Sequence, residues 1–305
     1  MASGSSCDCE SKFPPESQPT QPAKEYLMNP LPQPLNPKPY KPTNKLLGKV
    51  ALVTGGDSGI GRSVCLHFAM EGATVGFTYV KGIEDVDKDE TIKLIKQLKP
   101  PSSKDPIAIQ ADLGYESECQ RVVDEFVKEY ETIDILVNNA GVQYYTNSMD
   151  DITESRLENV FRTNIFAYFF LARFSLNHMK RGGCVINTTS VAAYTAVNAY
   201  SGGSEVLDYT ATKGAIVAFT RGLALQLASK GIRVNAVAPG PVWTPLQPAS
   251  MPAESMKGLG SSVPMGRAAQ PHEIAPCYVF LACNECSSYF TGQVLHPNGG
   301  MIVNT

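Results

Sequence analysis

Runs of lysine and arginine are missing from this 305-residue sequence, whose formal net charge is -3. Without a cationic stripe no field exists to hold a phosphodiester backbone, so nucleic acid is not an expected partner. No apolar stretch approaches the roughly 20 residues that cross a bilayer, and no membrane partner is expected. The start lacks a hydrophobic signal core and the first arginine is Arg62. Asp8, Glu10 and Glu16 put acid where an organellar transit peptide avoids it, which makes the cytoplasm the expected location. Eight cysteines are too sparse for a disulfide-stapled secreted domain, so reduced thiols are expected. Cys283 and Cys286 form a C-x-x-C at the end of an apolar run, with no second pair or histidine cluster nearby. Packing is the better reading there, and Cys7 and Cys9 read as solvated thiols. The histidines stand apart at His67, His178, His272 and His296 and do not form a metal site.

What is present divides into two parts. Residues 1–47 hold ten prolines, from Pro14 to Pro42, and little apolar periodicity, so this arm has no core of its own. It either lies extended across the folded body or stays solvated. Residues 48–305 change to short β-branched runs alternating with longer helical ones, the pattern of a single Rossmann-type doubly wound parallel α/β sheet with helices on both faces. Seven strands are predicted, at 50–54, 74–79, 107–110, 135–138, 184–188, 233–238 and 294–296. Helices of crossover length are predicted at 59–70, 85–98, 116–130, 154–179, 207–229 and 271–282.

After the first strand comes Thr54-Gly55-Gly56-Asp57-Ser58-Gly59-Ile60-Gly61, running into a helix. Glycines there let the backbone turn tightly and approach a pyrophosphate, whose charge sits at the positive helix N-terminus. Gly55, Asp57, Ser58, Gly59, Ile60 and Gly61 are therefore candidate dinucleotide contacts. At the end of the second strand a carboxylate usually holds the adenosine ribose of NAD. Here the chain reads Thr78-Tyr79-Val80-Lys81 with no acid before Glu84, which favours NADP(H), with NAD(H) possible, and makes Tyr79 and Lys81 candidates. Asp112 and Leu113, after the third strand, face the adenine or simply cap the next helix.

Further motifs follow in order: Asn138-Asn139-Ala140-Gly141 after the fourth strand, Asn164 in the next helix, Ser190, Tyr209-Thr210-Ala211-Thr212-Lys213, and Pro239-Gly240-Pro241-Val242-Trp243-Thr244. With the glycine run, they make residues 48–305 resemble the short-chain dehydrogenase/reductase family. The resemblance implies a coenzyme-dependent oxidoreductase acting on an aldehyde or ketone, or on the corresponding alcohol, polyol or sugar. It also implies coenzyme contacts from Asn139, Ala140, Gly141, Pro239, Gly240, Val242 and Thr244, and a homotetramer.

Tyr209 and Lys213 stand four apart in a predicted helix and so share one face. A phenol with a pKa near ~10 exchanges protons at neutral pH only if a neighbouring cation stabilises its phenolate, and Lys213 can supply that charge. The resemblance also gives Lys213 a hydrogen bond to the nicotinamide ribose. Ser190, at the end of the fifth strand, is expected to hold the substrate oxygen against Tyr209. Asn164 falls on the apolar stripe of Val160, Phe161, Ile165 and Tyr168; a buried amide needs partners, either a water in a proton relay to Lys213, as the resemblance implies, or a helix carbonyl.

One feature departs from the family pattern. Eighteen residues separate Ser190 from Tyr209, more than the family shows, and Val191-Ala192-Ala193-Tyr194 is nearly repeated by Val197-Asn198-Ala199-Tyr200. If the extra residues form a loop, Ser190 keeps its place, because added loop length costs little. If the second copy takes the family register, Ala196 replaces the serine and the chain becomes a coenzyme-binding sensor without turnover. A third reading, an enoyl reductase, fits less well, since that related group spaces its tyrosine and lysine further apart.

Overall fold

The β-branched runs form the strands they predict. The structure, a computed structural model, describes residues 13–38, 40–195 and 205–303. Its strands are β1 (Val50–Val53), β2 (Thr74–Tyr79), β3 (Ile107–Gln110), β4 (Ile135–Asn138), β5 (Cys184–Thr188), β6 (Arg233–Val237) and β7 (Val294–Leu295). They make one parallel sheet in the order β3-β2-β1-β4-β5-β6-β7. The order reverses between β1 and β4, which opens a crevice at the carboxyl ends of the strands.

Helices cover both faces: α1 (Gly59–Met70), α2 (Asp85–Leu98), α3 (Glu116–Tyr130), α4 (Glu154–Phe161), α5 (Ala167–Ser175), short α6 (Ala192–Thr195), α7 (Leu207–Leu227), α8 (Leu246–Ser250), α9 (Pro271–Ala282) and short α10 (Asn284–Ser287). Strand alternation divides the core. Ala51 and Val53 of β1 pack with Ile135 and Val137 of β4 beneath α1, α2 and α9. Leu52 and Leu136 point the other way, among residues of α3, α5 and α7. Period-2 side chains on strands buried on both faces require this division.

One predicted element differs: the helix expected at 154–179 is broken, because α4 passes through a π-helical turn, Arg162–Phe166, before α5 begins. Such a turn inserts a residue and re-aims the side chains around it, and this one holds Asn164. The arm lies docked along the body. Its Leu46 is buried under the sheet, and Phe13 and Met28 are buried in a small apolar cluster with Tyr209, Trp243, Met251 and Met256. Part of the repeated segment, including Ala196 and Val197 to Tyr200, lies outside the described residues.

Candidate active site

At the crevice the turn after β1 is cross-tied to the end of β4. Thr54 Oγ1 accepts from the backbone N–H groups of Asn139 and Ala140 at 2.8 and 3.0 Å. In return the Asn139 amide donates to the carbonyls of Thr54 and Gly55 at 3.1 and 3.3 Å. Gly55 adopts φ 61°, in the left-handed region, and a side chain there would meet Ala140 Cα at 3.2 Å. A backbone this close-packed at a helix N-terminus fits a dinucleotide phosphate.

A cavity of about 400 Å³ opens over this turn. Gly55, Asp57, Ser58, Gly59, Ile60, Tyr79, Asp112, Leu113, Asn139, Ala140 and Gly141 form its wall on one side. Ser190, Tyr209, Lys213, Pro239, Gly240, Val242 and Thr244 form the other. The structure thus gathers almost every candidate, from the ends of six strands and from α7. Three stand apart from the wall: Gly61, packed inside the turn; Lys81, exposed on the loop after β2; and Asn164, fully buried behind it. Beside exposed Lys81, the wall after β2 is Tyr79, Val80, Ile83 and Glu84. Asp112 Oδ1 accepts from Gly114 N–H at 3.0 Å, a turn-closing bond before α3.

Four of those walls were not legible as such. Gln21, Pro22 and Ala23 of the arm, Gln143 after β4, Val206 before α7 and Leu246 of α8 all face the cavity. No local motif announces them, because each reaches the site through contacts distant in sequence. Glu84 carried a signal in being the first acid after β2, but its burial was not foreseeable. Its carboxylate accepts from Val80 N–H at 2.6 Å and lies beside the fully buried Asp57. Burial raises the pKa of both acids, the Asp57 charge raises Glu84 further, and the Asp87 charge raises both.

Tyr209 is buried at the first turn of α7 and lines the cavity with Ser190, which lies close enough to act on its phenol. The serine therefore keeps its place despite the lengthened segment. Lys213, one turn further on, donates from Nζ to the Thr188 carbonyl at 2.9 Å and lies 5.2 Å from the Tyr209 ring centroid. Burial pushes the Tyr209 phenol up to about 12 against the opposing effect of Ser190, and pushes the Lys213 ammonium down to about 7. In the resting protein this desolvation favours a neutral phenol. Thr188, not anticipated, links the pair to the sheet: its hydroxyl shares a 2.7 Å hydrogen bond with Tyr278 OH.

Asn164 engages its amide with the loop after β4 and with α7. Its Oδ1 accepts from Val142 N–H at 2.8 Å, and its Nδ2 donates to the Val142 carbonyl at 2.9 Å and to Thr212 Oγ1 at 3.1 Å. The π turn thus pins the loop after β4 to α7. A second brace holds the start of α7, where Arg156 Nε donates to the buried Asp208 carboxylate at 2.7 Å and Asp208 Oδ1 accepts from Tyr209 N–H at 2.9 Å. Replacing Arg156 with methionine strands that carboxylate, and we expect a loss of about 3 kcal/mol of unfolding free energy in urea titration. The free cysteines among the described residues include buried Cys283 and exposed Cys286.

A parallel sheet with a phosphate-binding turn at its reversal point, and a serine, tyrosine and lysine converging on the same cavity, defines a dinucleotide-dependent oxidoreductase. Comparison with known proteins places it further. The family profile described as Enoyl-(Acyl carrier protein) reductase matches residues 55–302. Glucose and ribitol dehydrogenase of Daucus carota is 63% identical over 304 residues, 100% of each chain. NADPH-dependent aldehyde reductase 1, chloroplastic, of Arabidopsis thaliana is 63% identical over 289 residues, 95% of this chain and 98% of that one. The solved structure of a short chain dehydrogenase from Burkholderia cenocepacia J2315 in complex with NADP superposes with a TM-score of 0.73 at 29% identity, covering 84% of this chain and 98% of that one. This chain belongs to the short-chain dehydrogenase/reductase family.

Proposed function

We propose that residues 48–305 form a catalytic domain in which Tyr209 gives and takes the proton while a hydride passes between NADP(H), or less readily NAD(H), and an aldehyde or ketone. The reverse reaction oxidises the corresponding alcohol, polyol or sugar. One observation carries this reading: Ser190 and Tyr209 face the same cavity as the Gly55 turn, with Lys213 one helical turn beyond Tyr209. The coenzyme, when bound, supplies or accepts the hydride at its nicotinamide. Ser190 and Tyr209 together fix the substrate oxygen, so that the phenol proton is delivered as negative charge develops there. Lys213 serves the nicotinamide ribose and places positive charge near the phenol. We assign Asn164 to holding the loop after β4, because both ends of its amide are engaged there.

Preference for NADP(H) agrees with the name of the Arabidopsis relative and with the chemistry of the ribose end. With burial raising the pKa of both Asp57 and Glu84, the two acids together carry less charge near neutrality and repel a 2′-phosphate less than two free carboxylates do. The assembly is a homotetramer in this reading. Exposed Phe169 on α5 and Leu225 on α7, 51% and 82% accessible, are apolar surface for pairing these helices between copies. The acidic residues near the start of the chain favour the cytoplasm, to be checked by imaging a fluorescent fusion.

The test is the initial rate of NADPH and NADH oxidation over a panel of small aldehydes and aldoses, with an enoyl thioester in the same panel. Carbonyl-dependent oxidation, faster with NADPH, is the expected result. Turnover of the enoyl thioester alone would reassign the reaction to C=C reduction, and coenzyme binding with no turnover would support a sensor. The pH dependence is a second check. Buried Lys213 loses its charge as pH rises through about 7, so kcat/KM for the coenzyme, which reports the free enzyme, falls above that pH. In Lys213→Met this limb of the profile should be absent.

A further inference from the structure

The arm is tied to three walls of the reaction chamber at once. At the coenzyme turn, the buried Glu25 carboxylate accepts from Gly59 N–H at 2.5 Å and pairs with Arg62. Asp87 fixes the same arm segment by accepting from the N–H groups of Glu25 and Tyr26 at 2.8 and 3.0 Å. At the loop after β4, Gln21 makes a two-point amide pair with the Gln143 backbone, accepting from its N–H at 2.9 Å and donating to its carbonyl. At α8, Gln18 N–H donates to the Pro248 carbonyl at 2.7 Å, and Gln21 Nε2 lies 3.4 Å from the Ala249 carbonyl. Phe13 stacks face to face on buried Trp243, with centroids 4.0 Å apart and planes 6° apart, and Trp243 Nε1 donates to the Pro30 carbonyl at 2.8 Å.

Between these anchors, Gln21, Pro22 and Ala23 line the cavity themselves. A segment that merely covered exposed apolar surface would not need to bond the backbone of two opposite rims through one side chain. We propose that the arm is a strap across the active site and that Gln21 is a positioning residue, cross-tying α8 to the loop after β4 so that coenzyme leaves only when this tie is broken. The proposal rests on the reading of the cavity as a coenzyme site. The carboxamide does no chemistry; it holds two walls at the spacing the bound coenzyme needs, and its loss acts on exchange and not on hydride transfer.

Gln21→Met keeps the length of the side chain and removes both amide bonds. In stopped-flow fluorescence with NADPH, its coenzyme dissociation rate should rise about tenfold, the scale of one or two net hydrogen bonds. The single-turnover rate of NADPH oxidation should stay within about twofold of the unmodified protein, with Tm within about 2 °C. Phe13→Ala, at the other anchor, should speed release as well. Unchanged release in both variants overturns the strap, as does a lower single-turnover rate with unchanged release. A measurement without substitution supplements these: NADPH should slow tryptic cleavage after Lys24 in the unmodified chain, and equal cleavage with and without NADPH counts against the strap. Failure of the unmodified protein to bind NADPH at all is a different result, which overturns the coenzyme reading and not the strap alone.

Discussion

Tyr209→Phe lowers the rate of carbonyl reduction by roughly 10²–10⁴-fold, the usual contribution of a positioned general acid. NADPH affinity should stay within about twofold, because the ring remains and only the hydroxyl is lost. Tyr209 is 8% accessible and shares an apolar cluster with Phe13, Val206, Trp243 and Met251, contacts that a phenyl ring preserves. What disappears is the hydroxyl and its proton. A phenol pushed up to about 12 by burial remains protonated through the physiological range, so the free protein is ready to donate. Abstraction from an alcohol is the harder direction, and its rate should climb as pH rises toward that value. Titrating NADPH fluorescence and following a single turnover in the same variant separates binding from chemistry. Loss of binding with loss of rate would make Tyr209 a coenzyme contact rather than the acid.

Much of this site is legible in the sequence because it is built from strand ends. Each βα junction carries a short motif whose glycines, asparagines or hydroxyls answer a local backbone demand, and a doubly wound sheet brings all such junctions to one edge. Hence Gly55, Asn139, Ser190, Tyr209 and Pro239 converge as the motif order predicts. What escaped depends on distant packing. Gln21 meets Gln143 across 122 positions, and no periodicity in a proline-rich arm can express that pairing. The same applies to charge. Tyr209 and Lys213 read correctly as neighbours, but their proton affinities depend on burial from Val206, Thr188 and the arm. Glu84 escaped for a related reason: it stands three residues after solvent-exposed Lys81, yet the fold buries it against the cavity.

Gly61→Ala is the substitution expected to damage coenzyme binding most. A β-carbon at this position would lie 1.9 Å from the Gly55 carbonyl oxygen and 2.7 Å from the Asn139 amide nitrogen. Neither atom can yield cheaply. Gly55 is held by its N–H to Thr78 Oγ1 at 3.1 Å, and Asn139 is the cross-tie that joins the turn to β4. Gly61 has an ordinary helical backbone, so the damage is steric rather than torsional, and the first turn of α1 must move away from β1. Overpacking of this kind costs about 1–3 kcal/mol of stability. Displacing the N–H groups that face a pyrophosphate should weaken NADPH binding by at least about 100-fold, some 2.7 kcal/mol. Gly214→Ala is the control: it lies within α7, a side chain there meets nothing within 4 Å, and it should stabilise the helix by roughly 0.5–1 kcal/mol. Calorimetric titration with NADPH, alongside thermal unfolding of both variants, decides the matter. If Gly61→Ala folds and binds as tightly as the unmodified chain, the turn after β1 is not where the phosphates sit, and the cavity's polarity from adenosine to nicotinamide must be drawn again.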